Sequence, residues 1–339
     1  MEKDSFIDTN PSLETYWRAI ILLGKNTASY KFAWAKTLLE TKLNNSLVKV
    51  EDIALNYALS ICDHLKKNNK QHTGISNTFL EDCRKYNKRQ INDEQLHESS
   101  IKNGFNYVIE AFHNVAGDQV PLFYESMKKE KAIKVTDNFY KLLENNDKNN
   151  FSLEVNSRWR LWETAISLDI NPKLIEISFD VNDELLFTIN KRNKRIDVTS
   201  SREALNGYQK GKCFYCFNDI KIERNFENSC DVDHFFPDIL KKFKLYNVDQ
   251  VWNLVLSCKN CNRGTAGKFE KIPILKYLYL LNKRNNWYIE SHHPLRETIK
   301  NQTGSTALER KNFLQKFYNN AVSIIPTKWE PNTVNGEVF

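Results

Sequence analysis

Residues 230–237 read CDVDHFFP, an aspartate directly before a histidine inside an apolar, aromatic run closed by proline. Two such polar groups cost free energy among hydrophobic neighbours unless they are paired or given work. Two cysteine pairs frame them, Cys213 and Cys216 in CFYC, and Cys258 and Cys261 in CKNC. Each pair offers two thiolates from a tight turn, and four thiolates make a closed tetrahedral site of the kind Zn²⁺ takes. The 41 residues between the pairs exceed the roughly 15 to 20 of a plain zinc ribbon, so Asp233 and His234 sit in an insertion between the halves of the clamp. Cys230 is the odd thiol of this region and is expected to pack. Cys62 and Cys83 lie alone in helical sequence and read as small buried hydrophobes.

The elements needed to position these groups follow from the residues around them. DVDH is expected to be a strand, the lysine-rich LKKFKLYNVDQ a loop, NLVLS a second strand begun by Asn253, and the residues after Cys261 a helix carrying Asn262. Neighbouring residues of a strand point to opposite faces. Asp233 and His234 can therefore serve one site only where the strand ends or bulges, and Pro237 favours an ending.

Taken together, CxxC, VDHxxP and NLxLxCxxCN resemble the HNH endonucleases, whose site is the ββα-metal motif; the likeness spans about residues 205–270. It implies that His234 is a general base taking a proton from water. An imidazole suits this work, because its unperturbed pKa near 6.5 leaves it neutral at physiological pH. It further implies that Asp233 and Asn262 hold a catalytic Mg²⁺ or Mn²⁺, hard ions that favour oxygen donors. Asn253 matches the residue that orients the histidine-bearing loop, and the four cysteines match a structural zinc site. The family's name is met here as His, Asn, Asn. A carboxamide in place of imidazole shifts the expected preference toward Mg²⁺. Two residues keep a plainer alternative: Asn262 as a helix cap and Asn253 as a partner of turn backbone.

Arg263 and Lys268 are expected on the early turns of the helix, where each can hold a phosphate. GTAGK, residues 264–268, lacks the GxxxxGK[ST] spacing, which excludes a nucleotide-hydrolysing loop. His292 and His293 in SHHPLRET read as a structural turn.

The rest of the chain is a carrier for this module. Its 339 residues contain only 10 glycines and 8 prolines, which points to a helix-rich architecture. Apolar residues recur at three- and four-residue steps in LETYWRAIILLGKNTASYKFAWAKTLLETKL and VEDIALNYALSICDHLKK. Ser12 or the Asn10-Pro11 step would start the first helix. FNYVIEAFHNVA, AIKVTDNFYKLLENND and RWRLWETAISL read as further helices, and residues 173–190 as a β-hairpin followed by a basic linker. At this spacing Tyr16, Trp17, Tyr30, Phe32 and Trp34 are expected in a core rather than stacked on bases.

The predicted fold is mainly α with a small α+β module. A helical domain spans 1–195, the ββα-metal nuclease module 196–290, and a helical extension 291–339. The net charge of +7 lies entirely in residues 201–339, with 21 Lys and Arg against 14 Asp and Glu, while residues 1–200 balance at 28 of each. A basic bias beside the site suggests an anionic partner, above all double-stranded DNA. No apolar run approaches a membrane span, and the polar opening MEKDSFIDTN is unlike a secretory signal, so a cytoplasmic location is expected. The helical domain would recognise nucleic acid, bind a partner protein or form a homo-oligomer. The expected activity is metal-dependent endonucleolytic cleavage, in restriction or anti-phage defence. The alternatives are a zinc module that grips nucleic acid or protein without cutting, and an RNA-cleaving toxin.

Overall fold

The computed structural model describes residues 11–334 apart from 24–27, 42–45, 75–76, 116–117, 145–147, 168–176, 181–184, 190–194, 198–200, 223–228 and 246. Helices dominate, with small sheets between them. The first half holds α1 (Leu13–Leu23), α2 (Tyr30–Glu40), β1 (Leu47–Lys49), α3 (Val50–Lys67), α4 (Thr78–Asn87), α5 (Asp93–Ser99) and α6 (Val108–Ala111). β2 (Asn114–Val115), β3 (Asp118–Gln119), β4 (Tyr124–Met127), β5 (Ala132–Val135), α7 (Asp137–Glu144) and α8 (Lys148–Ser167) follow.

Local chemistry sets the helix starts. The Ser12 hydroxyl accepts from Thr15 N at 3.2 Å, the Asn77 side chain accepts from Leu80 N, and Asn92 with Gln95 forms a capping box ahead of α5. Trp17, Phe32 and Trp34 are buried in one apolar cluster with Tyr57, Phe79, Phe112 and Trp159. AIKV, expected to be helical, is instead strand β5, paired on both sides in the antiparallel order β1-β5-β4. Its Ile133 and Val135 are buried while Lys134 between them is exposed, a period-two pattern that the following helical run disguises. FNYVIEAFHNVA likewise forms only the four-residue α6 and then β2.

The second half opens with β6 (Ser178–Asp180) and β7 (Leu185–Ile189), the antiparallel pair expected near residues 173–190, with Phe179 opposite Leu186. β8 (Arg195–Asp197) adds a third strand where the sequence suggested a linker. Then come α9 (Ser201–Gln209), β9 (Asp231–His234), β10 (Leu254–Ser257), α10 (Lys259–Arg263), β11 (Ile272–Pro273), α11 (Leu275–Glu290), α12 (Arg296–Thr303), α13 (Ala307–Ile324) and β12 (Lys328–Trp329).

A second apolar cluster runs from Leu161 to Trp329. It includes Cys213, Cys216 and Cys261, with Cys258 packed against it, the FF of CDVDHFFP, Leu295 just before α12, Ile299 of α12, and Leu314 and Phe317 of α13, so residues 291–339 contribute to the core beneath the site. α8 joins the two clusters, giving Phe151, Val155 and Trp159 to the first and Leu161 and Ala165 to the second. The fully buried Arg284 of α11 donates to the backbone carbonyls of Leu254, Val251 and Trp252, fixing the entry to β10. Among the described residues no helix is long and apolar enough to cross a membrane.

Candidate active site and metal centre

The Sγ atoms of Cys213, Cys216, Cys258 and Cys261 lie within 4.8 Å of one another. Cys216 and Cys258 are 3.8 Å apart, the spacing that follows from tetrahedral geometry with Zn–S bonds of about 2.3 Å. Backbone amides point at the sulfurs: Cys258 N donates to Cys213 Sγ at 3.3 Å and Cys261 N to Cys258 Sγ at 3.4 Å. Such donors stabilise thiolates. The cluster can hold a metal ion such as Zn²⁺, and its donor set and spacing fit one. Cys230 is buried outside this group.

β9 and β10 pair antiparallel, with His234 opposite Leu254, Asp233 opposite Val255 and Asp231 opposite Ser257. The strand ends at His234, as a shared site requires. Asn253 makes that ending: its Oδ1 accepts from Phe236 N at 2.8 Å, and its Nδ2 donates to the carbonyls of Phe236 at 2.9 Å and Val248 at 2.8 Å. Its own carbonyl accepts from Phe235 N at 2.8 Å. All of these bonds are buried, so the backbone after His234 is held on both sides. The turn-bonding and loop-orienting readings of Asn253 are here the same set of contacts.

Asp233 is 6% exposed and fully committed. The Tyr215 hydroxyl donates to its Oδ2 at 2.7 Å, and the Lys268 ammonium stands 3.3 Å from its Oδ1. Burial pushes this carboxyl above the ordinary carboxylate range, against the pull of Lys268, Tyr215 and His234. Tyr215 lies inside the first cysteine pair, and Tyr277 of α11 donates to its carbonyl at 3.1 Å. The metal centre is thus wired to the carboxylate by one side chain.

His234 Nε2 lies 3.0 Å from Asp249 Oδ1. A neutral ring donating there carries its lone pair on Nδ1. Burial would raise the Asp249 carboxyl, but hydrogen bonds from His234 and Lys241 outweigh it and hold the group below its usual range. Donor atoms of His234, Asp238 and Asp249 lie within 4.8 Å of one another. Lys241 pairs with both carboxylates, so a cation of the chain's own already bridges them.

The helix after β10 differs from expectation. α10 starts before Cys261, spans only Lys259–Arg263, and is capped by the Cys258 side chain. Asn262 is therefore in its last turn and is not the cap. Its Nδ2 donates to Asp231 Oδ2 at 3.0 Å, which leaves Oδ1 as the atom it can offer to an ion. Arg263 pairs with Asp231 through two nitrogens, each at 3.1 Å. Lys268 lies beyond the helix, in a loop folded back over it. Lys268 N donates to the Cys261 carbonyl at 2.7 Å and Phe269 N to the Asn262 carbonyl at 3.0 Å. A Cβ on Gly267 would stand 2.8 Å from Gly264 O and 2.9 Å from Asn262 O, so this fold-back requires glycine there. The glycines of GTAGK serve this turn.

A cleft of about 410 Å³ opens over these groups, lined among others by Asp231, Asp233, His234, Asn262, Arg263 and Lys268. The structure therefore brings Asp233, His234 and Asn262 to one surface, with Asn253 behind it. His292 and His293 lie apart in a turn before α12, where the His293 ring is buried and its Nδ1 accepts from Leu295 N at 3.3 Å. Three contributors escaped the sequence reading. Asp231 was legible, two residues before Asp233 and so on the same strand face. Asp249 and Tyr215 carried no signal, because long-range packing alone brings them in. The hard oxygens of Asp233 and Asn262 suit a divalent ion, although Lys268 already sits against one of them. Comparison with protein-family models, curated proteins and solved structures finds no match to this chain.

Proposed function

We propose that this protein is a metal-dependent endonuclease of the ββα-metal type that hydrolyses phosphodiester bonds in DNA. The observation that carries the reading is the convergence of Asp233, His234 and Asn262 on one cleft, with the histidine ring held by Asp249 and its loop clamped by Asn253. A zinc module that only binds has no use for that trio.

His234 takes the proton of the attacking water, while its hydrogen bond to Asp249 fixes the ring and balances the positive charge it acquires. Asp233 and Asn262 would hold a divalent ion, which supplies charge neutralisation at the phosphate and the leaving oxygen. Arg263, 55% exposed along its side chain, is free to turn from Asp231 to a neighbouring phosphate. Tyr215, between Cys213 and Cys216, fixes Asp233, and a Zn²⁺ held by the four cysteines would brace Tyr215 in turn. A role in restriction or anti-phage defence is consistent with such an activity in a chain with a large helical partner region.

The test is incubation of supercoiled plasmid with purified protein in Mg²⁺, Mn²⁺ or EDTA, beside a structured RNA. Nicking or linearisation of plasmid that EDTA abolishes is the expected result. Retardation without cleavage in all three would favour the binding module, and cleavage of RNA alone would favour a ribonuclease.

A further inference from the structure

Lys268 is the least expected member of the cleft. The sequence suggests a solvent-facing phosphate grip, yet the residue is 1% exposed and its ammonium lies 3.3 Å from Asp233 Oδ1 and 3.1 Å from the Phe269 carbonyl. The placement is built. Its amide is tied to Cys261 of the metal centre, the turn before it needs glycine at 267, and Trp329 Nε1 donates at 2.8 Å to Ala266 O in the same loop. Tyr215 and Trp329 pack edge to face at 5.1 Å, so one clamp holds both partners of Asp233.

An ammonium here occupies the electrostatic place of a bound ion. Two cations cannot share one carboxylate oxygen without strong repulsion, so a divalent ion at Asp233 requires Lys268 to leave or to stay away. Lysine suits such an exchange, being a compact charge on a flexible four-carbon stem. The residue also lines the cleft, where an entering phosphate offers it a second anion.

We propose that Lys268 is the resident cation of the cleft, holding Asp233 in an ion pair until a nucleic-acid phosphate draws it away, so that divalent-ion binding and phosphate binding are coupled. The proposal rests on the nuclease reading above. Coupling of this kind is reciprocal: the duplex strengthens ion binding by the same factor by which the ion strengthens duplex binding. The free protein then stays unloaded, and the site assembles only on substrate.

The experiment measures Mn²⁺ binding to the full-length, zinc-loaded protein by electron paramagnetic resonance, with and without a phosphorothioate duplex that resists cleavage. Wild type is expected to bind Mn²⁺ about tenfold more tightly with duplex, within the usual range of coupling. Lys268→Met should bind Mn²⁺ tightly without duplex and lose most of that coupling, whereas Lys268→Arg should retain it. Unchanged zinc content in the variants reports an intact module. The proposal is overturned if wild type shows no coupling, a result that does not depend on any variant folding, or if Lys268→Met with intact zinc binds Mn²⁺ no more tightly than wild type. Failure of the nuclease reading looks different: plasmid stays intact under all conditions, while the Mn²⁺ comparison between wild type and Lys268→Met can still be made without duplex.

Discussion

Around Trp34 and around His234 the chain buries polar atoms to opposite ends. In the first cluster the polar groups nearest Trp34 and Trp159 are closed onto one another. Trp34 Nε1 donates to the Tyr124 hydroxyl at 2.8 Å, which donates to the Ile109 carbonyl at 2.7 Å. Trp159 Nε1 donates to Gln71, and His64 pairs with Glu163 at 2.6 Å while stacking on Trp159. Such networks specify a core and leave little capacity for a ligand. Beside the second cluster Asp231, Asp233, His234 and Asn262 are also partnered but face a cleft, and their partners include the charges of Arg263, Lys268 and Asp249, which a phosphate or an ion can replace. The difference teaches where chemistry can reside: in buried polar groups whose satisfaction is exchangeable.

The two halves should also differ in what holds them together, and removing the metal is the sharpest way to separate them. The second core is built around four cysteines that can hold a metal ion, and structural zinc contributes on the order of 10 kcal/mol or more to modules of that kind. Chelation or Cys258→Ser is expected to abolish protection of β9 and β10 in hydrogen exchange while α2 and α3 remain protected. Uniform loss across both clusters would show that α8 makes them one cooperative unit.

Replacing the proposed base tests the open half alone. His234→Ala is expected to lower plasmid cleavage by roughly 10² to 10⁴ with zinc content and DNA affinity unchanged; retained cleavage would remove His234 as the base.

Acid should act on the closed half. His113 is buried beside Lys31, its Nε2 accepts from Phe123 N at 3.0 Å, and burial lowers its pKa to about 4. The unfolded chain takes up this proton near pH 6.5 and the folded chain only near pH 4, so stability is full above about pH 7 and falls as the pH drops between those values. The loss at pH 5 relative to pH 7 is about 2 kcal/mol. Denaturant melts of wild type and His113→Gln at both pH values measure it, and an equal pH slope in the two proteins would exclude His113 as the source.

The smallest effect concerns the ring's partner. Asp249→Asn keeps the shape of the contact but not its charge, and is expected to lower kcat about tenfold, near the contribution of one charge-assisted hydrogen bond, with duplex affinity unchanged. Asp249→Glu should recover part of the loss. A change in affinity without a change in kcat would place Asp249 in binding instead.

Much of this was legible because it is local. Paired CxxC spacing brings thiolates together through their own turns, and helical periodicity buried Trp17, Phe32 and Trp34 as expected. The ending of the strand ahead of Pro237 followed from backbone rules for neighbouring residues. The misses share a cause. AIKV became β5 because β4, one turn before it, and β1, distant in sequence, lie on either side of it. α10 stopped at Arg263 because the loop folds back and takes up the carbonyls of Cys261 and Asn262.

Residue types and spacings were enough to point to four thiolates, a carboxylate and an imidazole in one module within a helix-rich chain, while the two carboxamides entered through the resemblance that the combined motif carries. The tertiary structure alone decided which charges face which: Asp249 behind His234, Tyr215 and Lys268 on Asp233, Arg263 on Asp231. Electrostatic partnership depends on distances of a few ångströms across the fold, and order along a chain does not specify them.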